Sequence, residues 1–266
     1  MTDKHIMDMT LERTIVAVRD GKAEEALDRV IREDIYGISV NGEAFVTLAC
    51  LPGDLEELAV GFLRSEGVIA RRSDVDRVVV DRQKQSIDVI GAIDGDMLEK
   101  SLTKRFLTSG CGIVPSGRDF HDLADGCLKV KSDYTVGAGT ISRLMRDLST
   151  RAGLFRETGA AHTAALALDG EIAVSFEDIS RHNAVDKIVG RALMQEWDTS
   201  KGIILSSGRL SLDIVMKCAA GAIPIVVSRT APMQRGVEIA DELLITLIGF
   251  TRGKRMNIYT HAWRVL

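Results

Sequence analysis

Apolar positions along the chain follow two regimes. In the first, short β-branched or alternating runs dominate: residues 14–18 (Thr-Ile-Val-Ala-Val) predict a strand, while residues 22–30 fit a helix or irregular backbone. Residues 35–40 and 43–48 flank Asn41-Gly42, a pair that supplies the positive φ angles of a two-residue turn, so a hairpin is expected. Pro52-Gly53-Asp54 then opens a helix whose apolar stripe is Leu55, Leu58, Ala59, Phe62 and Leu63, ended by Gly67. Residues 75–80 and 86–90 predict strands about a turn at 82–85, and residues 97–107 a short helix. This part reads as an α+β unit.

From Thr140 the pattern changes. Ile141, Leu144, Met145 and Leu148 mark a helix; residues 164–168 and 171–176 flank an Asp169-Gly170 turn; residues 183–195 give a second helix. Strand and helix then alternate through residues 203–205, 212–220, 224–227, 237–243, 247–250 and 256–259. Such alternation predicts a layered α/β domain with partly parallel strands, whose ligands gather beyond the strand ends. The expected fold class is thus α/β, with an N-terminal α+β domain over residues 1–130 and a layered α/β domain over residues 131–266.

Composition narrows the function. The chain has 266 residues, 45% hydrophobic and 27% charged, with a formal charge of −4, which disfavours non-specific nucleic-acid binding. Its N-terminus has no apolar signal region and no run suits a membrane span, so the expectation is a cytoplasmic protein. The four cysteines, at positions 50, 111, 127 and 218, show no paired metal-ligand spacing. Cys50 and Cys218 lie in apolar runs and read as core residues. Cys111 differs: residues 107–118 (Leu-Thr-Ser-Gly-Cys-Gly-Ile-Val-Pro-Ser-Gly-Arg) place it between Gly110 and Gly112, a setting for an accessible thiolate and not for a packed helix or central strand.

Polar residues of the second half concentrate at three places. One is residues 158–162, ending in His162 before a strand; another is residues 177–187, with Arg181, His182 and Lys187; the third is residues 206–211, with Ser207, Gly208 and Arg209 between a strand and a helix. Glycine-permitted backbone approach, a helix start and an arginine fork are the means of holding a phosphate. After Glu242 no acidic residue remains, while Arg252, Lys254, Arg255 and Arg264 accumulate around Gly253.

With these residues in view, the sequence resembles the formate dehydrogenase accessory sulfurtransferase family. The likeness runs from Asn41-Gly42 through the Cys111 loop to His261 and is most specific at residues 177–187, 207–211, 228–232 and 246–260. The resemblance implies a second domain of cytidine deaminase-like fold and a homodimer. It further implies a sulfur carrier that takes persulfide sulfur from a cysteine desulfurase on Cys111. The acceptor would be the molybdenum, or tungsten, bis(pterin guanine dinucleotide) cofactor of formate dehydrogenase. The family's cofactor segment matches Phe250, Thr251, Arg252, Gly253, Lys254 and Arg255, so a guanine nucleotide or pterin guanine dinucleotide is the expected ligand, with no tightly held metal of the protein's own.

Two departures matter. Val114 stands where many family members have the second cysteine of Cys-X-X-Cys, so a loop disulfide cannot discharge the persulfide. Direct delivery, an external thiol or Cys127 would have to replace it; a cofactor-binding chaperone without sulfur chemistry is the competing reading, and a thiol redox sensor lacks a nearby resolving thiol. Ala160 and Ser180 occupy places where the family often has glycine, costly only if the backbone there needs positive φ. Nucleobase deamination is disfavoured, since no Pro-Cys-X-X-Cys exists and His162 is followed by Thr163-Ala164.

Overall fold

A computed structural model describes residues 3–93, 105–107, 113–115 and 129–266. Cys111 and Cys127 therefore lie outside the described residues. A six-stranded sheet has the order β10-β9-β11-β12-β13-β14. Its members are β9 (His162–Leu168), β10 (Glu171–Asp178), β11 (Ile203–Ser206), β12 (Ile225–Ser228), β13 (Thr246–Arg252) and β14 (Arg255–Ile258). Strands β11, β12 and β13 are parallel, while β9, β10 and β14 pair antiparallel at the flanks. The central strands are buried on both faces, which is why they read as continuous apolar runs.

Alternation along these strands splits the core in two. Ala165, Ala167, Leu205, Val227 and Ile248 face α3 (Ala138–Arg151), which supplies Ile141, Leu144, Met145 and Leu148. Ala164, Leu166, Ile204, Val226 and Leu247 face the other way, onto α5 (Arg181–Met194), α6 (Leu212–Ala220) and α7 (Gln234–Glu242). The expected layered α/β arrangement is what forms. Between α3 and β9 lies a short helix, α4 (Gly153–Thr158), that the apolar pattern does not announce.

The first half builds a four-stranded sheet of order β4-β3-β6-β5 from β3 (Asp34–Val40), β4 (Glu43–Cys50), β5 (Arg77–Asp81) and β6 (Ser86–Ile90). The β3–β4 turn has Asn41 at φ 51° and Gly42 at φ 83°, as the dipeptide predicts. Helix α2 (Leu55–Ser65) covers this sheet with Leu55, Leu58, Ala59 and Leu63. Its opposite side crosses α5 at glycines: a Cβ on Gly61 would sit 1.8 Å from the Asp186 carbonyl oxygen, and one on Gly190 2.0 Å from that of Glu57. This backbone-to-backbone contact ties the two sheets together.

Three expectations need correction. Residues 22–30 are neither helical nor irregular: β2 (Lys22–Ile31) pairs along its whole length with β1 (Thr10–Arg19) in a ribbon that follows the short helix α1 (Asp3–Asp8). Helix-favouring Ala, Glu and Leu mislead there because the ribbon is exposed on both faces, so no alternation marks the strand, and the Asp20-Gly21 turn, at φ 50° and 76°, decides the pairing. Residues 105–107, expected at the end of a helix, are instead β7 (Arg105–Leu107). They pair antiparallel with β8 (Ile113–Pro115), so part of the expected loop is strand, with Pro115 at its end, where a missing N–H is tolerated.

Candidate functional site

The sheet puts the carboxyl ends of β11, β12 and β13 beside the start of β9, and the loops leaving them are stitched together. Thr163 N donates to Ser207 Oγ at 3.0 Å, and Ser207 N to the Thr163 carbonyl at 3.0 Å. Arg229 N donates to the Ser206 carbonyl, Ser228 Oγ to the Gly208 carbonyl at 2.6 Å, and Phe250 N to the Thr230 carbonyl at 2.9 Å. Four sequence-distant loops thereby form one polar rim. Phe250 lies in the left-handed region, φ 53°, within a register shift between Gly249 and Arg252; such strain persists only where the surroundings impose it. They do: Gly249 packs so closely that a Cβ would lie 2.8 Å from Pro232 Cδ.

Beside the β13–β14 turn opens a cavity of about 670 Å³, a size ordinary for small-molecule ligands. Its lining comes from Thr251, Arg252, Gly253 and Lys254 of the turn, from Arg229 after β12, and from Ala138, Gly139, Ser142, Arg143, Met145, Arg146 and Ser149 of α3. No lining residue is acidic. Arg143 is held by Asp147 and Glu171, at 3.4 and 3.1 Å. The Arg146, Arg229, Arg252 and Lys254 cations have no carboxylate within ion-pair distance among the described residues. Thr251 is buried, and its hydroxyl has no hydrogen-bond partner among the described residues. Of the residues expected to contact the cofactor, Thr251 through Lys254 line this cavity; Phe250 and Arg255 flank the turn without lining it, Arg255 paired across the hairpin from Arg252.

The other anticipated residues gather at the α5 end of the rim. His162 Nδ1 lies 3.3 Å from Ser207 Oγ, and burial, then the Arg181 charge, holds its imidazole below the usual range. A Cβ on Gly208 would meet Arg181 Cδ at 2.7 Å, so the glycine makes room for that side chain, while Arg209 is exposed. Ser180 caps α5 by accepting from His182 N at 3.2 Å; its φ is −110°, and neither it nor Ala160 takes a positive φ, so the departures from glycine carry no strain. His182 is neutral: burial, then the Lys217 charge, depresses it to about 3. Its Nε2 stands 3.8 Å from Asp213 Oδ2 without a hydrogen bond.

Lys187 does not belong to the rim. It is fully buried and its ammonium sits 2.8 Å from the equally buried Asp178. Asp178 also accepts from the backbone of Leu51 and Ser180 and from Asn183 Nδ2, so the pair is a structural pin. A second buried pair joins Lys217 to Asp186 at 2.7 Å, with Ser65 Oγ donating to Asp186. Cys50 and Cys218 are enclosed, as expected of core residues; burial pushes the Cys50 thiol up to about 12 and raises that of Cys218 as well. Neither is a thiolate at neutral pH.

The model of the FdhD/NarQ family matches residues 31–266, most of the chain. The chain belongs to the FdhD/NarQ family. Similar FdhD relatives include the sulfur carrier protein FdhD of Wolinella succinogenes, 36% identical and covering 99% of this chain and 91% of that protein. That of Bacillus pumilus is 37% identical, covering 96% and 97%. Among solved structures, a crystal structure described as a candidate formate dehydrogenase accessory protein from Desulfotalea psychrophila superposes with a TM-score of 0.80 at 26% identity, covering 97% of this chain and all of that one. The FdhD likeness runs through both sheets. No helix among the described residues is long and apolar enough to cross a membrane. Sequence reasoning missed Arg143 and Arg146, which sit on the polar side of α3 with Asp147 beside them, and Arg229, which the most specific motifs contain; a count of cations lacking acidic neighbours in the sequence would have found Arg229 alone.

Proposed function

We propose that the chain carries sulfur as a persulfide on Cys111, from a cysteine desulfurase to the molybdenum or tungsten bis(pterin guanine dinucleotide) cofactor of formate dehydrogenase. In loading, the Cys111 thiolate attacks the outer sulfur of the donor's persulfide; the donor's S–S bond breaks, its thiolate leaves, and the outer sulfur is now bonded to Cys111. Release of that sulfur as sulfide consumes two electrons, and with Val114 in the loop they come from a thiol other than a loop partner. The cofactor is cargo, and its phosphates and flat rings need cations and glycine-permitted backbone approach.

The observation that carries the reading is the acid-free, cation-lined cavity built on residues 251–254, in a chain whose relatives are named sulfur carriers. Two of the four thiols are enclosed, which leaves Cys111 and Cys127 for chemistry. In a host lacking its own carrier, the wild type restores formate dehydrogenase activity and Cys111→Ala does not. Full restoration by Cys111→Ala would favour the other reading, a cofactor chaperone without sulfur chemistry, which Val114 keeps in play.

A further inference from the structure

We propose that a second cavity, between the α1–β1 junction and the β5–β6 turn, binds a free α-amino acid, its carboxylate held by Arg32 and Arg82 and its ammonium by Asp34 and Asp8. This cavity, of about 640 Å³, shares no lining residue with the one beside the β13–β14 turn, so its occupant is independent of the sulfur cargo.

Four segments wall it in: the end of α1 with the start of β1, the entry to β3, Pro52, and the β5–β6 turn. Two cross-links fix that frame, Arg32 N donating to the Met9 carbonyl at 2.9 Å and Arg82 Nη1 to the Pro52 carbonyl at 2.6 Å. The charged lining consists of two arginines and two aspartates. A polyanion is repelled by the aspartates and a polycation by the arginines, whereas a ligand with one charge of each sign satisfies both poles.

Spacing decides which dipolar ligand fits. Arg32 Nη2 stands 3.6 Å from Asp34 Oδ2, too far for a hydrogen bond, so neither charge is fully spent on the other. The ammonium and carboxylate of an α-amino acid share one carbon and lie at a comparable spacing, which lets them pair with both groups at once. A peptide with free ends separates its charges by at least one further residue and cannot. Arg32 Nε, on the same edge of the guanidinium as Nη2, is enclosed without a hydrogen-bond partner among the described residues; a carboxylate docked along that edge accepts from both nitrogens and relieves the orphaned donor. Tyr36 is buried within range of both the Arg82 and Asp34 charges, and burial raises its phenol above the usual value, so its hydroxyl keeps its proton and can donate.

The rest of the wall is apolar: Met7, Met9, Leu11 and Pro52. Met7 and Leu11 are exposed, so a ligand side chain laid on them removes apolar surface from water. Methionine is unbranched and polarizable and moulds itself to what it meets, which suits an unbranched apolar or thioether side chain. The ligand class is therefore an α-amino acid of that kind, with both backbone charges free.

Isothermal titration of the full chain with L-methionine, glycine, N-acetyl-L-methionine and L-methionine amide tests this. L-Methionine binds; each blocked form, which lacks one of the two charges, binds at least tenfold more weakly, and so does glycine, which lacks the side chain. Arg32→Gln and Asp34→Asn each weaken L-methionine tenfold or more, the loss of one charge-assisted hydrogen bond, with melting temperature retained. Asp8→Asn does the same should either of these fold poorly, since it lies at the exposed carboxyl end of α1, where losing a negative charge does not weaken the helix. Lys84→Gln, on the same turn as Arg82 but outside the cavity, changes nothing. No binding of L-methionine at millimolar concentration, equal binding of the blocked forms, or wild-type affinity in the three cavity variants overturns the proposal.

Discussion

Gly61→Ala gives the sharpest structural test, because two general effects predict opposite signs. In a helix interior alanine is favoured over glycine by about 1 kcal/mol, so a propensity argument predicts stabilisation. The packing predicts the reverse. The new Cβ would lie 1.8 Å from the Asp186 carbonyl oxygen, 2.6 Å from its carbon and 2.8 Å from Gly190 N, all backbone atoms that no rotamer change can remove. Ordinary contact requires 3.4 Å or so, hence α2 and α5 must part by roughly 1.6 Å at this point. A gap of that size forfeits a large part of the dispersion energy across the crossing, and overpacking alone costs about 1–3 kcal/mol. The same movement pulls Ser65 from Asp186 and Glu57 from Arg191, contacts of 2.8 and 2.5 Å. The expected net loss is about 3 kcal/mol or more in urea unfolding, or roughly 6–12 °C in melting temperature for a chain of this size. Gly190→Ala meets Glu57 across the same contact, so the double variant loses much less than the two single losses combined. A loss below about 1 kcal/mol, or a gain, would refute the reasoning.

Half-buried Glu66, with an enclosed carboxyl oxygen, and buried His182 set opposing pH limits on stability. Burial, partly offset by Lys217, raises Glu66 to about 8, so the folded protein holds a proton that the unfolded chain has released, and stability falls as pH rises from the usual carboxylate range through 8; Glu66→Gln removes that fall in urea titrations at pH 5 to 9. His182, lowered to about 3, does the converse: the unfolded chain takes up a proton below about 6.5, so stability falls as pH drops toward 4, and His182→Gln flattens this acid limb. If the two variants leave the pH–stability curve unchanged, the burial argument fails. Lys187→Met strands the Asp178 carboxylate in the core and is expected to cost about 3–5 kcal/mol in chemical unfolding, with nucleotide affinity retained in the protein that remains folded. A stable variant with lost affinity would return Lys187 to the ligand site.

Elements buried on a defined face were legible in the sequence. Helix α6 follows the pattern at both ends, β6 likewise, and the Asn41-Gly42 and Asp169-Gly170 turns carry positive φ where glycine and its neighbour demand it. In the β1–β2 ribbon residues 14–18 read as strand, but β2 was not legible, since both faces of the ribbon meet solvent and its composition fits helix or irregular backbone. Lys187 and Arg252 look alike as residue types, and only burial separates a structural ion pair from an open cation. The cavity wall from α3 was hidden for a related reason: Arg143 and Arg146 read as the solvated face of an amphipathic helix until β13 and β14 are laid beside it.

The central claim is that sulfur travels on one thiol, and intact mass spectrometry tests it most directly. With Cys50 and Cys218 enclosed and their thiols held protonated, incubation with a cysteine desulfurase and free cysteine should add one sulfur atom to the wild type, removable by a reducing thiol, and none to Cys111→Ala. Equal sulfur uptake by the two proteins would contradict the account.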